Sequence, residues 1–262
     1  MTTNTSLTAP DVRAREGFDP QLFEVLASLE PQNFWFKCRN RLILWCLERF
    51  SPQLRSFLEI GCGTAYVLSA IVEHYPNARI AGSDLFPEAL DYARRRVPRA
   101  EIFELDAKHI PFTSKYQAIG MFDVLEHIDD DVRVLEQVRN ALEPDGMLYL
   151  TVPQHPWLWS PADDVAHHQR RYRAGELFRK LELCGFRVVF STSIVSLLLP
   201  LLLVSRLRQR WFPSTYSVLS ELAIDGPVGA ICELVLRLEI ACLHLGWRWP
   251  CGSTLAVVAA KQ

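Results

Sequence analysis

Between residues 56 and 190, short apolar runs alternate with stretches of helical period. Ser56–Ile60, Arg79–Asp84, Glu101–Leu105, Gln117–Phe122 and Met147–Val152 have the length and composition of strands, and Arg187–Phe190 begins a sixth. Between them, Ala65–His74, Pro87–Arg96, Asp130–Leu142 and Ala174–Cys184 carry helical spacing. Pro87 suits a first helical turn, Glu143-Pro144-Asp145-Gly146 marks a turn, and Gly185 ends the last helix. Leu255–Ala260 is a seventh strand. Strands alternating with helices of about ten residues predict a mostly parallel sheet covered on both faces.

Ahead of this pattern, Gln21–Ser28 and Phe34–Phe50 read as helices, the second placed to roof a ligand site. The predicted organisation is a disordered leader over 1–17, a helical cap over 18–52, a core over 53–195, an apolar helical insertion over 196–250, and the last core strand over 251–262. Within the insertion, Ser196–Val204 reads SLLLPLLLV and precedes Arg206, Arg208, Arg210, Trp211 and Phe212. That run is shorter than the roughly 20 apolar residues a bilayer span needs. Val228–Leu245 is long enough but carries Glu233, Arg237 and Glu239. Two readings stay open: a subdomain burying its apolar face on the sheet or a partner, or a peripheral membrane contact through 196–212 with the Arg/Trp cluster at headgroup level.

Composition changes this picture little. The chain has 262 residues, 49% of them hydrophobic, a formal charge of −2 and a mean hydropathy of +0.06. With no basic excess, no nucleic-acid partner is expected. The seven cysteines form no CxxC pair, which predicts reduced and mostly buried thiols. The first 17 residues lack the apolar stretch of a secretory signal, so a cytoplasmic location is expected, at the inner face of the membrane if the insertion binds there.

The chemistry starts at the turn after the first strand. Gly61 and Gly63 let backbone pass close to a ligand, with Cys62 between them. Glu59 sits just before the turn, where a carboxylate can hold a cationic amino-acid group. Asp84, followed by Leu85, ends the second strand, where doubly wound folds place an acid for ribose hydroxyls. Asp106 and Ala107 follow the third strand, within reach of an adenine amino group. Phe122 closes the fourth strand. An ordinary tight turn with Asp84 as a helix cap is the bland alternative. A nicotinamide-binding fingerprint would carry a third glycine at position 66, which is Tyr.

These segments resemble class I S-adenosylmethionine-dependent methyltransferases. The first motif is Glu59-Ile-Gly-Cys-Gly-Thr-Ala65, the second Ser83-Asp84-Leu85, the third Leu105-Asp106-Ala107, and the fourth Phe122-Asp123-Val-Leu-Glu126-His127. The resemblance implies a Rossmann-like seven-stranded sheet and S-adenosylmethionine held by Glu59, Gly61, Cys62, Gly63, Asp84, Leu85, Asp106, Ala107 and Phe122. The family usually has glycine where Ala65 stands; alanine is small, so binding is expected to survive. Asn33–Ile43, His168–Tyr172 and Pro250–Leu255 extend the likeness to a bacterial subgroup linked with lipid or surface-glycan metabolism, which points to a small-molecule or lipid-linked acceptor.

Candidates for the transfer step cluster after the fourth strand. His127 is the first choice as general base for an acceptor hydroxyl, with Asp123 and Glu126 beside it. A sharper alternative is a divalent cation held by Asp123, Glu126, His127 and His168 (or His167). That arrangement resembles the sites of small-RNA 2′-O-methyltransferases and of ubiquinone-pathway O-methyltransferases. The third option is a purely structural role. Arg170, Arg171 and Tyr172 could bind an anionic group of the acceptor, or pair with Asp163, Asp164 and Glu176. Trp157 and Trp159 are expected in the core. Two other functions stay open: a catalytically silent membrane-associated scaffold on the same fold, and an RNA 2′-O-methyltransferase.

Overall fold

The computed structural model describes residues 22–211, 224 and 226–262; the 1–17 leader, most of 212–225 and the side chains of Arg210 and Trp211 lie outside the described residues. Seven strands form one sheet: β1 (Ser56–Ile60), β2 (Arg79–Asp84), β3 (Glu101–Glu104), β4 (Tyr116–Phe122), β5 (Leu142–Pro153), β6 (Phe186–Ile194) and β7 (Thr254–Lys261). Their order is β3-β2-β1-β4-β5-β7-β6. Only β7 runs against its neighbours, pairing antiparallel with both β5 and β6.

Helices cover both faces. Helix α1 (Leu22–Leu29), α2 (Phe34–Phe50), α3 (Tyr66–His74), α4 (Pro87–Arg96), α5 (Asp131–Ala141), α6 (Pro161–Val165), α7 (Ala174–Leu183), α8 (Leu199–Trp211) and α9 (Gly226–His244) follow in chain order. One core layer joins α2, α3, α4 and α9 through Leu42, Leu68, Leu90 and Leu236. The other joins α5 and α7 through Leu135 and Leu181. The apolar stripe of α2 seats it on the sheet, and Asn33 caps it by accepting from the Trp35 amide at 2.8 Å.

Two strands outrun their expected ends. β6 continues through Ser191-Thr192-Ser193, a polar stretch that reads as loop. Its hydroxyls are satisfied inside: Ser193 Oγ donates to Gln154 Oε1 at 2.7 Å, and Thr192 Oγ1 accepts from the Trp249 amide. β5 begins at Leu142, and the Glu143–Gly146 turn becomes part of a bulged extension opposite Tyr116. Trp157 and Trp159, expected in the core, are exposed by 56% and 40%. They sit in the segment that follows the carboxyl end of β5, where Trp157 stacks on His155 and Trp159 Nε1 donates to Asp164.

A buried acid braces the two helices of the second layer. Asp131, at the start of α5, accepts from Tyr172 Oη at 2.7 Å and Lys180 Nζ at 2.5 Å, and pairs with Arg170 at 2.8 Å. Burial works against its charge, but these three donors hold its carboxyl below the usual carboxylate range. The folded state therefore gains from ionised Asp131 above the unfolded value near pH 3.9, and loses that gain as pH falls below it. Asp131→Asn should cost about 2 kcal/mol. In thermal melts the gap between wild type and variant should be constant above about pH 5 and close below pH 4.

Candidate active site

The loop after β1 is shaped by three residues of positive φ: Gly61 at 71°, Gly63 at 54° and Ala65 at 61°. Ala65 caps α3 in this conformation at a cost of about 1 kcal/mol, which is why glycine is usual there. A Cβ on Gly61 would stand 2.4 Å from Val124 Cγ2, so the turn presses against the segment after β4. Asp84 fixes the far side of the turn. One carboxylate oxygen accepts from the Gly63 amide at 2.8 Å and the other from the Phe86 amide at 3.0 Å. It does not cap α4, whose cap is Phe86. Burial raises its pKa against the pull of those amides.

The turn opens onto a cleft of about 230 Å³. All nine residues expected to hold the cofactor line it: Glu59, Gly61, Cys62, Gly63, Asp84, Leu85, Asp106, Ala107 and Phe122. Glu59 is 2% exposed, and its Oε2 has no hydrogen-bond partner. Burial pushes its pKa well up, and Asp84 and Glu30 add to the rise against Arg39. A buried, unpartnered carboxylate oxygen facing a cleft is matched to a cationic group of a ligand. Asp106 is held by the Lys108 amide and by His109, both at 2.8 Å. Together with the glycine turn, this donor and acceptor set fits S-adenosylmethionine.

The roof comes from the N-terminal helices. Phe23 and Leu26 of α1 line the cleft beside Glu30. Glu30 accepts from Thr64 Oγ1 and from Arg96 Nη1 at 2.6 Å, so the turn, α4 and the end of α1 are clamped together. Arg39 of α2 lies over the Trp35 ring at 4.7 Å and pairs with Asp123. Neither Glu30 nor Arg39 was singled out from sequence. The signal for Arg39 was there: it falls among Cys38, Leu42, Ile43 and Cys46 on the buried side of α2, an unusual place for a guanidinium.

At the other end of the cleft, Asp123 and His127 are in the wall. Glu126 is fully buried, and neither of its carboxylate oxygens has a partner. His168 faces it, with Nε2 3.9 Å from Glu126 Oε1 and its ring 4.7 Å from that of His127. Donor atoms of Glu126, His127 and His168 all lie within 4.8 Å of one another. Asp123 is not in this group; its carboxylate pairs with Arg39. His167 is absent as well.

His168 is held from behind. Asp163 Oδ1 contacts its Nδ1 and accepts from Arg171 Nε, both at 2.8 Å. Asp163 Oδ2 accepts from the Ser160 amide. Despite burial, the His168 and Arg171 contacts draw the Asp163 carboxyl down to about 2. Burial, followed by the charges of His168 and His167, lowers His127 to about 3 against a hydrogen bond with the Ala166 backbone, so its ring is neutral at ordinary pH. Burial and the Asp123 charge push Glu126 the opposite way.

Arg170, Arg171 and Tyr172, expected to meet the acceptor, all have partners within the protein and do not line the cleft. Arg170 binds Asp131 and the Asp129 carbonyl, Arg171 binds Asp163, and Tyr172 is fully buried against Asp131. Arg171 thus shares Asp163 with His168, while Arg170 and Tyr172 meet at Asp131. Of the acids proposed as their partners, only Asp163 serves; Asp131 takes the place of Asp164 and Glu176.

Residues 58–148 match the methyltransferase domain family. The 58–148 segment is thus a methyltransferase domain, similar to those of class I S-adenosylmethionine-dependent methyltransferases. It is 27% identical over 167 residues to a probable S-adenosylmethionine-dependent methyltransferase of Mycolicibacterium smegmatis, covering 62% of this chain and 63% of that one. It is 28% identical over 132 residues to a demethylmenaquinone methyltransferase of Chlorobaculum tepidum, covering 50% and 53%. The chain thus spans about six-tenths or less of the length of these relatives. The fold is shared with phosphoethanolamine N-methyltransferase 2 of Haemonchus contortus, with a TM-score of 0.57 and 17% identity over 83% of this chain and 51% of that one. It is shared equally with a [4+2]-cyclase, with a TM-score of 0.58 and 15% identity over 93% and 96%. The architecture alone therefore does not dictate the reaction.

Proposed function

We propose that this methyltransferase carries the methyl group of S-adenosylmethionine to an oxygen of a small-molecule or lipid-linked acceptor, at the His127 end of the cleft. The observation that carries this reading is that one cavity is walled both by Glu59, Gly61 and Asp84 and by His127. When bound, S-adenosylmethionine supplies an electrophilic methyl on a sulfonium. Glu59 meets its ammonium group, and Asp84, already braced by two amides, has lone pairs left for the ribose hydroxyls. The clamp of Glu30, Thr64 and Arg96 holds α1 over the cleft and limits water. The protein's remaining task is to align the acceptor and manage its proton. As a neutral ring, His127 can accept a hydrogen bond from an acceptor hydroxyl and take its proton as the new bond forms.

A labelled-methyl assay on bacterial lipid, glycan and small-molecule extracts tests this. Label should enter an acceptor with wild type and fall about 100-fold with His127→Ala. Tight S-adenosylmethionine binding with no labelled product in any extract would favour the silent scaffold.

One observation favours a second reading of the same end. A base held neutral to about pH 3 is a weak proton acceptor. Neutral imidazoles are, however, what a divalent cation requires. Glu126 with two unpartnered oxygens, His127, and His168 backed by Asp163 form a three-donor set with an outer carboxylate. A cation there would lower the pKa of an acceptor hydroxyl and relieve the buried carboxylate. Calorimetry with Mn²⁺ should then show one equivalent bound, lost in His168→Ala. Full methyl transfer after exhaustive chelation would remove the cation from the reaction.

A further inference from the structure

Helices α8 and α9 expose apolar stripes that the core does not use. On α8, Leu201, Val204 and Leu207 are 58%, 62% and 58% exposed and recur at helical spacing. On α9, Ile231, Leu234 and Leu238 are 62%, 59% and 53% exposed, again at helical spacing. The opposite face of α9, with Cys232, Leu236, Ile240 and Leu243, is buried against the body of the protein. The two helices are tied at their base, where Glu239 of α9 accepts from the Leu197 amide just before α8, at 2.6 Å.

Charge says what would cover these stripes. Among the described residues, neither helix offers a carboxylate to a partner. α8 contains no acid. Of the two in α9, Glu233 is paired with Arg41 and Lys37, and Glu239 is 1% exposed. Exposed Arg208 and Arg237 flank the stripes instead, and exposed Trp247 and Arg248 follow α9. Leucines and valines on one face, arginines at its rim and a tryptophan beside it match the polarity profile of an anionic bilayer surface. No helix among the described residues is long and apolar enough to cross a membrane.

We infer that α8 and α9 dock this protein on anionic membrane, lying in the headgroup region with their apolar stripes against the acyl chains. The inference is independent of the methyl-transfer reading: it concerns a different surface and its variants leave the cleft intact. It gives the acceptor cleft a location, since α9 packs on the α2 helix whose Arg39 lines that cleft.

The test is co-sedimentation of the full chain with vesicles of phosphatidylcholine alone or mixed with phosphatidylglycerol. Wild type should bind the mixed vesicles, bind the neutral ones far more weakly, and release with salt. Ile231→Ser with Leu234→Ser and Leu238→Ser should abolish binding, and the same should follow from Leu201→Ser with Val204→Ser and Leu207→Ser. Arg208→Gln and Arg237→Gln should each weaken it about fivefold. Unchanged S-adenosylmethionine affinity in every variant certifies that they fold. No vesicle binding by wild type overturns the inference, as does binding that both serine sets leave intact. A wild-type dimer that the serine sets convert to monomer, without vesicle binding, would assign the stripes to a second copy of the chain. A monomer that ignores vesicles would assign them to this chain's own 212–223 segment.

Discussion

Asp84→Ala should lower S-adenosylmethionine affinity by at least about 100-fold in calorimetry, which corresponds to about 2.7 kcal/mol. Two effects add. The substitution removes the acid proposed above for the ribose hydroxyls. It also leaves the Gly63 and Phe86 amides without the carboxylate they now share, and a buried amide without a partner costs about 1–3 kcal/mol. The glycine turn should therefore loosen before any ligand arrives, and the melting temperature should fall even without cofactor. Asp84→Asn keeps one acceptor oxygen and should lose about tenfold. An alanine variant that binds like wild type would refute the assignment of this carboxylate to the cofactor.

The second large effect is expected at Gly61. Gly61→Ala must adopt a φ of 71° and place its Cβ 2.4 Å from Val124 Cγ2. The left-handed backbone costs about 1–2 kcal/mol. The overlap adds a comparable amount because Val124 is fixed between Asp123, whose amide donates to the Thr151 carbonyl, and buried Leu125. A total of about 3 kcal/mol should lower the melting point by roughly 6–12 °C. Activity should fall further than stability, since the displaced segment carries Asp123 and His127. Gly175→Ala is the control: its Cβ meets nothing within 4 Å, and it lies in α7. That variant should melt at or slightly above wild type.

The parts of this molecule legible in sequence are those governed by local rules. The glycine turn, Asp84 and the strand ends other than the start of β5 and the end of β6 follow from period and backbone sterics, and each falls within a few residues of its expected place. Ala65 was legible for the same reason, and its positive φ explains why the position favours glycine. What was not legible depends on partners distant in sequence. Arg39 meets Asp123 across 84 residues. Whether Arg170, Arg171 and Tyr172 face a ligand or hold a loop turns on Asp131 and Asp163, and no local pattern decides it. Trp157 and Trp159 mislead because hydrophobicity carries no information on whether the segment beyond a strand's end is covered by the rest of the fold. The polar end of β6 misleads in the other direction, since its hydroxyls find internal partners only once Gln154 and Trp249 are in place.

The placing of β7 between β5 and β6 bears on how the protein is made. Pro153 pairs with Thr254, and Ile194 pairs with the same residue from the other side. As the chain leaves the ribosome, β5 must therefore wait for about a hundred further residues before its outer edge is paired. During that interval the apolar stretches around α8 and α9 emerge as well. Such late, long-range closure slows folding and exposes strand edges to other chains. A nascent chain of this design should be a client for chaperones, and its yield on expression should depend more on temperature and synthesis rate than on the stability of the finished fold.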